Sequence, residues 1–86
     1  MRIEDITRWL RAKGAVVSCT PEDFVIFLKE GFWGVLCVKS RKGSPMKPKN
    51  KQLIEKLNEW SFARVVWGGK NSNWPEVRAE LTEWLR

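Results

Sequence analysis

Six basic residues (Lys39, Arg41, Lys42, Lys47, Lys49 and Lys51) fall between positions 39 and 51 of this 86-residue chain, and no acid lies among them. The remaining Lys and Arg equal the Asp and Glu in number, so this stretch carries the whole formal charge of +6. A cationic run this dense suits phosphate, whose oxygens it neutralises with release of counterions. Pro45 and Pro48 restrict the run and lower the entropic cost of presenting its side chains. Arg41, Lys42, Lys47, Lys49 and Lys51 are therefore expected to hold a nucleic-acid backbone.

A second constellation adjoins the first. Asp23 begins one apolar run, Lys39 ends the next, and Gln52 follows directly on the basic stretch. Residues 37 and 39 share a strand face because side chains alternate with period two. Whether Asp23 joins them depends on the turn between the two runs. A three-residue loop Lys29-Glu30-Gly31, with Gly31 left-handed beside a bulge, opposes Leu28 to Phe32 and Asp23 to Cys37. A two-residue Glu30-Gly31 turn opposes Asp23 to Val38 and sends it to the other face. Glycine in third place suits the first register, which predicts a carboxylate and lysine cluster at the hairpin mouth.

Other chemistries are excluded or disfavoured. The chain has no His, which removes Ser-His-Asp and Cys-His catalysis. Gly43 stands apart from any Lys-Ser/Thr signature, so there is no phosphate-binding loop of the nucleotide-hydrolase kind. Cys19 and Cys37, without His, argue against a zinc finger and read as small buried hydrophobes.

The elements that must position these groups follow from periodicity. Ile3 to Lys13 reads as a helix ended by Gly14, and Ala15 to Thr20 as a strand before a turn at Pro21. Asp23 to Leu28 and Phe32 to Lys39 are almost continuously apolar, which predicts cover on both faces. Asn50 is placed to cap a helix running to about Trp60, with Leu53, Ile54, Leu57 and Trp60 as its inner stripe. Phe62 to Trp67 is a fourth strand; Asn73 caps a last helix with Pro75 in its first turn, and Val77, Leu81, Trp84 and Leu85 line its buried side. Trp33 and Trp67 are expected in the core, while any exposed Trp patch predicts a homodimer or partner face.

This ordered set resembles the PD-(D/E)XK nuclease fold and, within it, the small stand-alone VRR-NUC type. The resemblance rests on the acid in Ile3-Glu4-Asp5-Ile6, on Pro21-Glu22-Asp23-Phe24-Val25-Ile26, on Val35-Leu36-Cys37-Val38-Lys39, on Gln52 and on the closing strand and helix. It implies Glu4 and Asp23 as ligands of Mg²⁺ or Mn²⁺, Lys39 as the residue acting on water, and Gln52 in support. The chain departs from that pattern at Cys37, which stands where the family has its central carboxylate, and at Glu22, inserted before Asp23. A carboxylate from Glu55 is one way to repair the first departure.

The expectation is a single α+β domain over residues 1–86, ordered α-β-β-β-α-β-α, with a four-stranded mixed sheet flanked by helices. Its expected partner is nucleic acid, DNA ahead of RNA, bound by a homodimer. If active, it is a metal-dependent endonuclease selective for branched DNA. The alternative class is a catalytically degenerate binding or inhibitory protein of phage or viral type. The absence of a membrane span or a signal-like segment in the sequence points to an intracellular protein with no membrane partner.

Overall fold

The structure, a computed structural model, describes residues 2–41 and 43–85. Helix α1 (Ile3–Ala12) forms where Ile6 and Leu10 recur one turn apart, and both are fully buried. The Asp5 carboxylate accepts the Arg2 N–H at 2.9 Å, and its charge suits the positive end of the helix. Strand β1 (Val16–Cys19) then pairs antiparallel with β2 (Phe24–Lys29).

The two hairpins depart from the sequence expectation in an instructive way. The three-residue loop with a left-handed last residue occurs between β1 and β2, as Pro21-Glu22-Asp23. Thr20 N–H donates to the Phe24 carbonyl at 2.9 Å, Asp23 N–H donates to the Thr20 carbonyl at 3.2 Å, and Asp23 takes φ 65°. Asp is among the few non-glycine residues that enter this region readily.

The link from β2 to β3 (Phe32–Lys39) is instead the two-residue turn Glu30-Gly31, at φ 50° and 85°. Two left-handed central residues give the turn whose twist matches the flanking strands, and that match outweighs the steric cost at Glu30. Lys29 therefore faces Phe32, and Phe24 faces Cys37. The expected pairing of Asp23 with Cys37 is corrected: Asp23 precedes β2 and lies opposite Val38, whose N–H donates to the Asp23 carbonyl at 2.9 Å.

Helix α2 (Pro48–Leu57) crosses over to β4 (Phe62–Trp67), which lies parallel to β3, and α3 (Trp74–Trp84) closes the chain. The sheet order is β1-β2-β3-β4, mixed and four-stranded as expected. The helix begins at Pro48, with Lys47 at the cap position, so Asn50 is a first-turn residue and not the cap. Proline is pre-set for the first helical position, where its missing N–H costs nothing. The helix also stops at Leu57. Trp60, expected on the inner stripe, sits in the following turn and is 76 % exposed, and Leu53 is exposed too.

Asn73 precedes α3, but its side chain serves β4 and not the helix. Its amide accepts the Trp67 N–H at 2.9 Å and donates to the Val65 carbonyl at 2.8 Å, as a neighbouring strand would. Ser72 Oγ accepts the Trp74 N–H in its place.

The core lies mainly on one face. There α1 and α3 pack on Val25, Phe27, Leu36, Val38, Phe62 and Val66. Phe27 lies across Gly34 of the next strand. A Cβ at Gly34 would collide with the Phe27 ring and come within 2.9 Å of the Phe62 carbonyl, so only glycine lets the ring lie there. Trp84 meets Phe27, Phe32 and Phe62 at centroid distances of 5.7 to 6.1 Å.

On the other face, α2 covers β3 and β4 through Ile54 and Leu57 over Val35, Cys37 and Ala63. Ile26, Leu28 and Trp33 stay partly open there, which corrects the expectation that both faces are covered and that Trp33 is core. Cys19, expected buried, is exposed on an edge strand. Among the described residues, no helix is long and apolar enough to cross a membrane.

Candidate phosphate-binding cleft

Parallel pairing of β3 with β4 sets their carboxyl ends side by side: Lys39 faces Trp67, and Gly68 N–H donates to the Lys39 carbonyl at 2.9 Å. Onto this end fold the β1–β2 loop, the basic stretch and the start of α2. Together they enclose a cleft of about 540 Å³ lined by Glu22, Asp23, Lys39, Met46, Lys47 and Asn50, with Pro21 and Pro45 completing the wall. A smaller cleft of about 230 Å³ lies against the start of α1, between Arg2, Ile3 and Ser40, and shares Asp23 and Lys39 with the first. These two residues thus form the partition between the clefts.

Asp23 and Lys39 come together by a different route from the one the sequence suggests. Strand alternation in the observed register would send Asp23 to the face opposite Lys39. Asp23 is not a strand residue, however. Its left-handed backbone turns the chain just before β2 begins, and both side chains line the same clefts.

Cys37 lies one alternation below Lys39 and is completely buried among Phe24, Val35, Ile54 and Ala63. Burial pushes its thiol above the ordinary value of 9.0; the Lys39 ammonium pulls against that rise and the Asp23 carboxylate adds to it. At neutral pH this group is a neutral thiol.

The other expected residues divide. Lys47 lines the cleft, while Arg41, Lys49 and Lys51 are exposed around it on the loop and the first turn of α2. Lys42 lies outside the described residues. The loop is tied by Ser44: its hydroxyl donates to the Arg41 carbonyl at 2.7 Å, and its N–H donates to the same carbonyl at 3.2 Å.

Gln52 is exposed and lines neither cleft. Because α2 starts three residues earlier than a cap at Asn50 would allow, Asn50 takes the inward position. It is 8 % exposed, and among the described residues no group hydrogen-bonds its side-chain amide. The sequence does hold a signal for it: Asn50, Ile54 and Leu57 stand at positions i, i+4 and i+7, so Asn50 is a polar residue at the head of an apolar stripe.

The metal site implied by the family resemblance does not fit these side chains. Glu4 is exposed on α1 and lines neither cleft, and Glu55 likewise faces away. Among the described residues, only the carboxylates of Glu22 and Asp23 reach the cleft, and the central position holds a protonated thiol. Among the described residues, no group of three or more His, Cys, Asp or Glu could hold an ion. Magnesium takes hard oxygen ligands, and a neutral thiol cannot stand in for one. What the arrangement offers an anion is two lysines, an unpartnered amide and the positive end of α2, set beside the two carboxylates of Glu22 and Asp23 in one opening. No protein-family model, curated protein or solved structure matches the chain.

Proposed function

We propose that this protein binds the phosphate backbone of nucleic acid in the cleft at the carboxyl ends of β3 and β4, without metal-dependent scission. The observation that carries the reading is Asn50. A polar side chain more than nine-tenths buried, with no partner among the described residues, lines a cleft that also holds Lys39 and Lys47. Its polar atoms are still reached by solvent at the cleft, so a phosphate oxygen can take the place of water in accepting its N–H.

Lys39 and Lys47 supply charge in the cleft, and Arg41, Lys49 and Lys51 are exposed on the loop and the first turn of α2, open to a bound strand. Asp23 and Glu22 line the same cleft and repel a second phosphate there, which limits it to one. DNA is the expected ligand, since the sequence motifs resemble those of branched-DNA nucleases.

The test is titration of labelled branched and linear DNA over a range of salt. With three to five phosphates engaged, log K should fall linearly against log salt with a slope of about −3 to −5. Lys39→Ala and Lys47→Ala should each reduce the slope by about 1, whereas Asn50→Ala should weaken binding at an unchanged slope. Binding indifferent to salt defeats the proposal.

The convergence of Asp23 and Lys39 favours one second reading, a residual nuclease. Scission of branched DNA in Mn²⁺, abolished by Asp23→Asn, would establish it over binding alone.

A further inference from the structure

The uncovered half of the α2 face has a regular construction. Val16, Leu28 and Trp33 are successive cross-strand partners on β1, β2 and β3, so their side chains form one row on one face. Ile26 stands in the next row, and between it and α2 lies an apolar groove of about 500 Å³, lined by Phe24, Val35, Leu53 and Leu57. Trp60 stands at the same end of the sheet, next to Ser61, whose hydroxyl donates to the Trp33 carbonyl. Val16 and Trp60 are 72 % and 76 % exposed, and Ile26, Leu28, Trp33 and Leu53 are each exposed by about two-fifths or more. Their open area is on the order of 600 Å², at the upper end of what a monomer leaves uncovered.

We propose that this row and groove form the face on which a second copy of the chain docks, sheet against sheet, about a two-fold axis. Two observations favour a second copy over a foreign partner. The first is area. With the flanking Ser18, Glu22 and Lys56 the face reaches roughly 800 Å² per partner, the size of a standard specific interface.

The second is charge. The apolar row lies at the Trp33 end of β3 and the cationic cleft at the Lys39 end, about 20 Å away along the strand. The row itself carries no charge, and the groove meets the cleft at Pro21 and Glu22, so the charged residue the two share is an acid that offsets the cleft lysines at the boundary. The rim of the groove also carries both signs. Glu22 lies on the β-sheet wall, and Lys56 flanks Leu53 on α2, a pattern that a two-fold axis can oppose to itself.

This inference does not depend on the nucleic-acid reading. It is tested by light scattering behind a sizing column, with wild type, Leu28→Glu and Val16→Lys. Val16→Lys alters an exposed edge position with little part in folding, and far-ultraviolet circular dichroism confirms that each variant is folded. Wild type should show twice the 10.1 kDa chain mass at micromolar concentration. Each variant should weaken association about tenfold or more and run as a monomer. Because both variants keep the cleft, a monomer that still binds DNA at low salt separates this interface from the phosphate site. A wild type that remains a monomer up to about 100 micromolar, as expected if a foreign chain covers this face, overturns the proposal, and so does a dimer that survives both substitutions.

Discussion

The two faces of this sheet draw on similar apolar residues and are finished differently. Under α1 and α3, every β2 and β3 side chain from Val25 to Val38 on that face is sealed, except Lys29 and Phe32 at the hairpin tip. Under α2 only the β3–β4 half is sealed, and Val16, Ile26, Leu28 and Trp33 meet solvent. A chain this short has a core near the lower limit for independent stability. It concentrates that core on one face, and the other is left free to carry a cationic cleft at one end and an apolar row at the other.

The sharpest way to test that contrast is to truncate neighbours on β2. Phe27→Ala should cost about 3–5 kcal/mol, since it empties the sealed face, whereas Leu28→Ala in the monomer should cost less than about 1 kcal/mol. Denaturant unfolding of the two variants measures both. Comparable losses would mean that the open face is as structural as the closed one.

A second test uses the thiols. Exposed Cys19 should react with an aromatic disulfide reagent at the rate of a free thiol, and buried Cys37 only as the protein opens. The pH dependence follows from the raised Cys37 value. The folded state favours the protonated thiol, so its contribution to stability is fully present below pH 9.0 and is lost as pH rises from there through the raised folded value. Denaturant midpoints followed from neutral to strongly alkaline pH should show the fall, and Cys37→Ala should flatten it.

The smallest expected effect lies at the cleft. Asp23 holds φ 65°, so Asp23→Gly should leave stability unchanged or raise it by up to about 1 kcal/mol, while Asp23→Ala lowers it. A gain on removing the carboxylate would mark Asp23 as kept for the cleft and not for the loop.

Much of the fold was legible in the sequence, because it depends on patterns longer than any one turn. The helix stripe at Ile6 and Leu10, the apolar runs of β2 and β3 and the glycine after α1 specify α-β-β-β-α-β-α between them. Positions decided by single residues were harder to read. Glu30 accepts a left-handed backbone and shortens the hairpin turn; Pro48 starts α2 before Asn50. Each shift reassigns side chains, Asp23 away from a strand face and Asn50 in place of Gln52 at the cleft. Cover is less legible still, since an apolar run looks the same whether a helix lies on it or not, as exposed Cys19 shows; Trp60 is open because α2 stops at Leu57.

The Asn73 amide has a consequence for assembly at the sheet's margins. By occupying Trp67 and Val65 on their outward side, it blocks strand addition at that end of β4. Lateral growth is thereby directed to β1, four residues long and bearing the open Cys19 thiol. Oxidative cross-linking between chains would join those margins and leave the β4 side untouched.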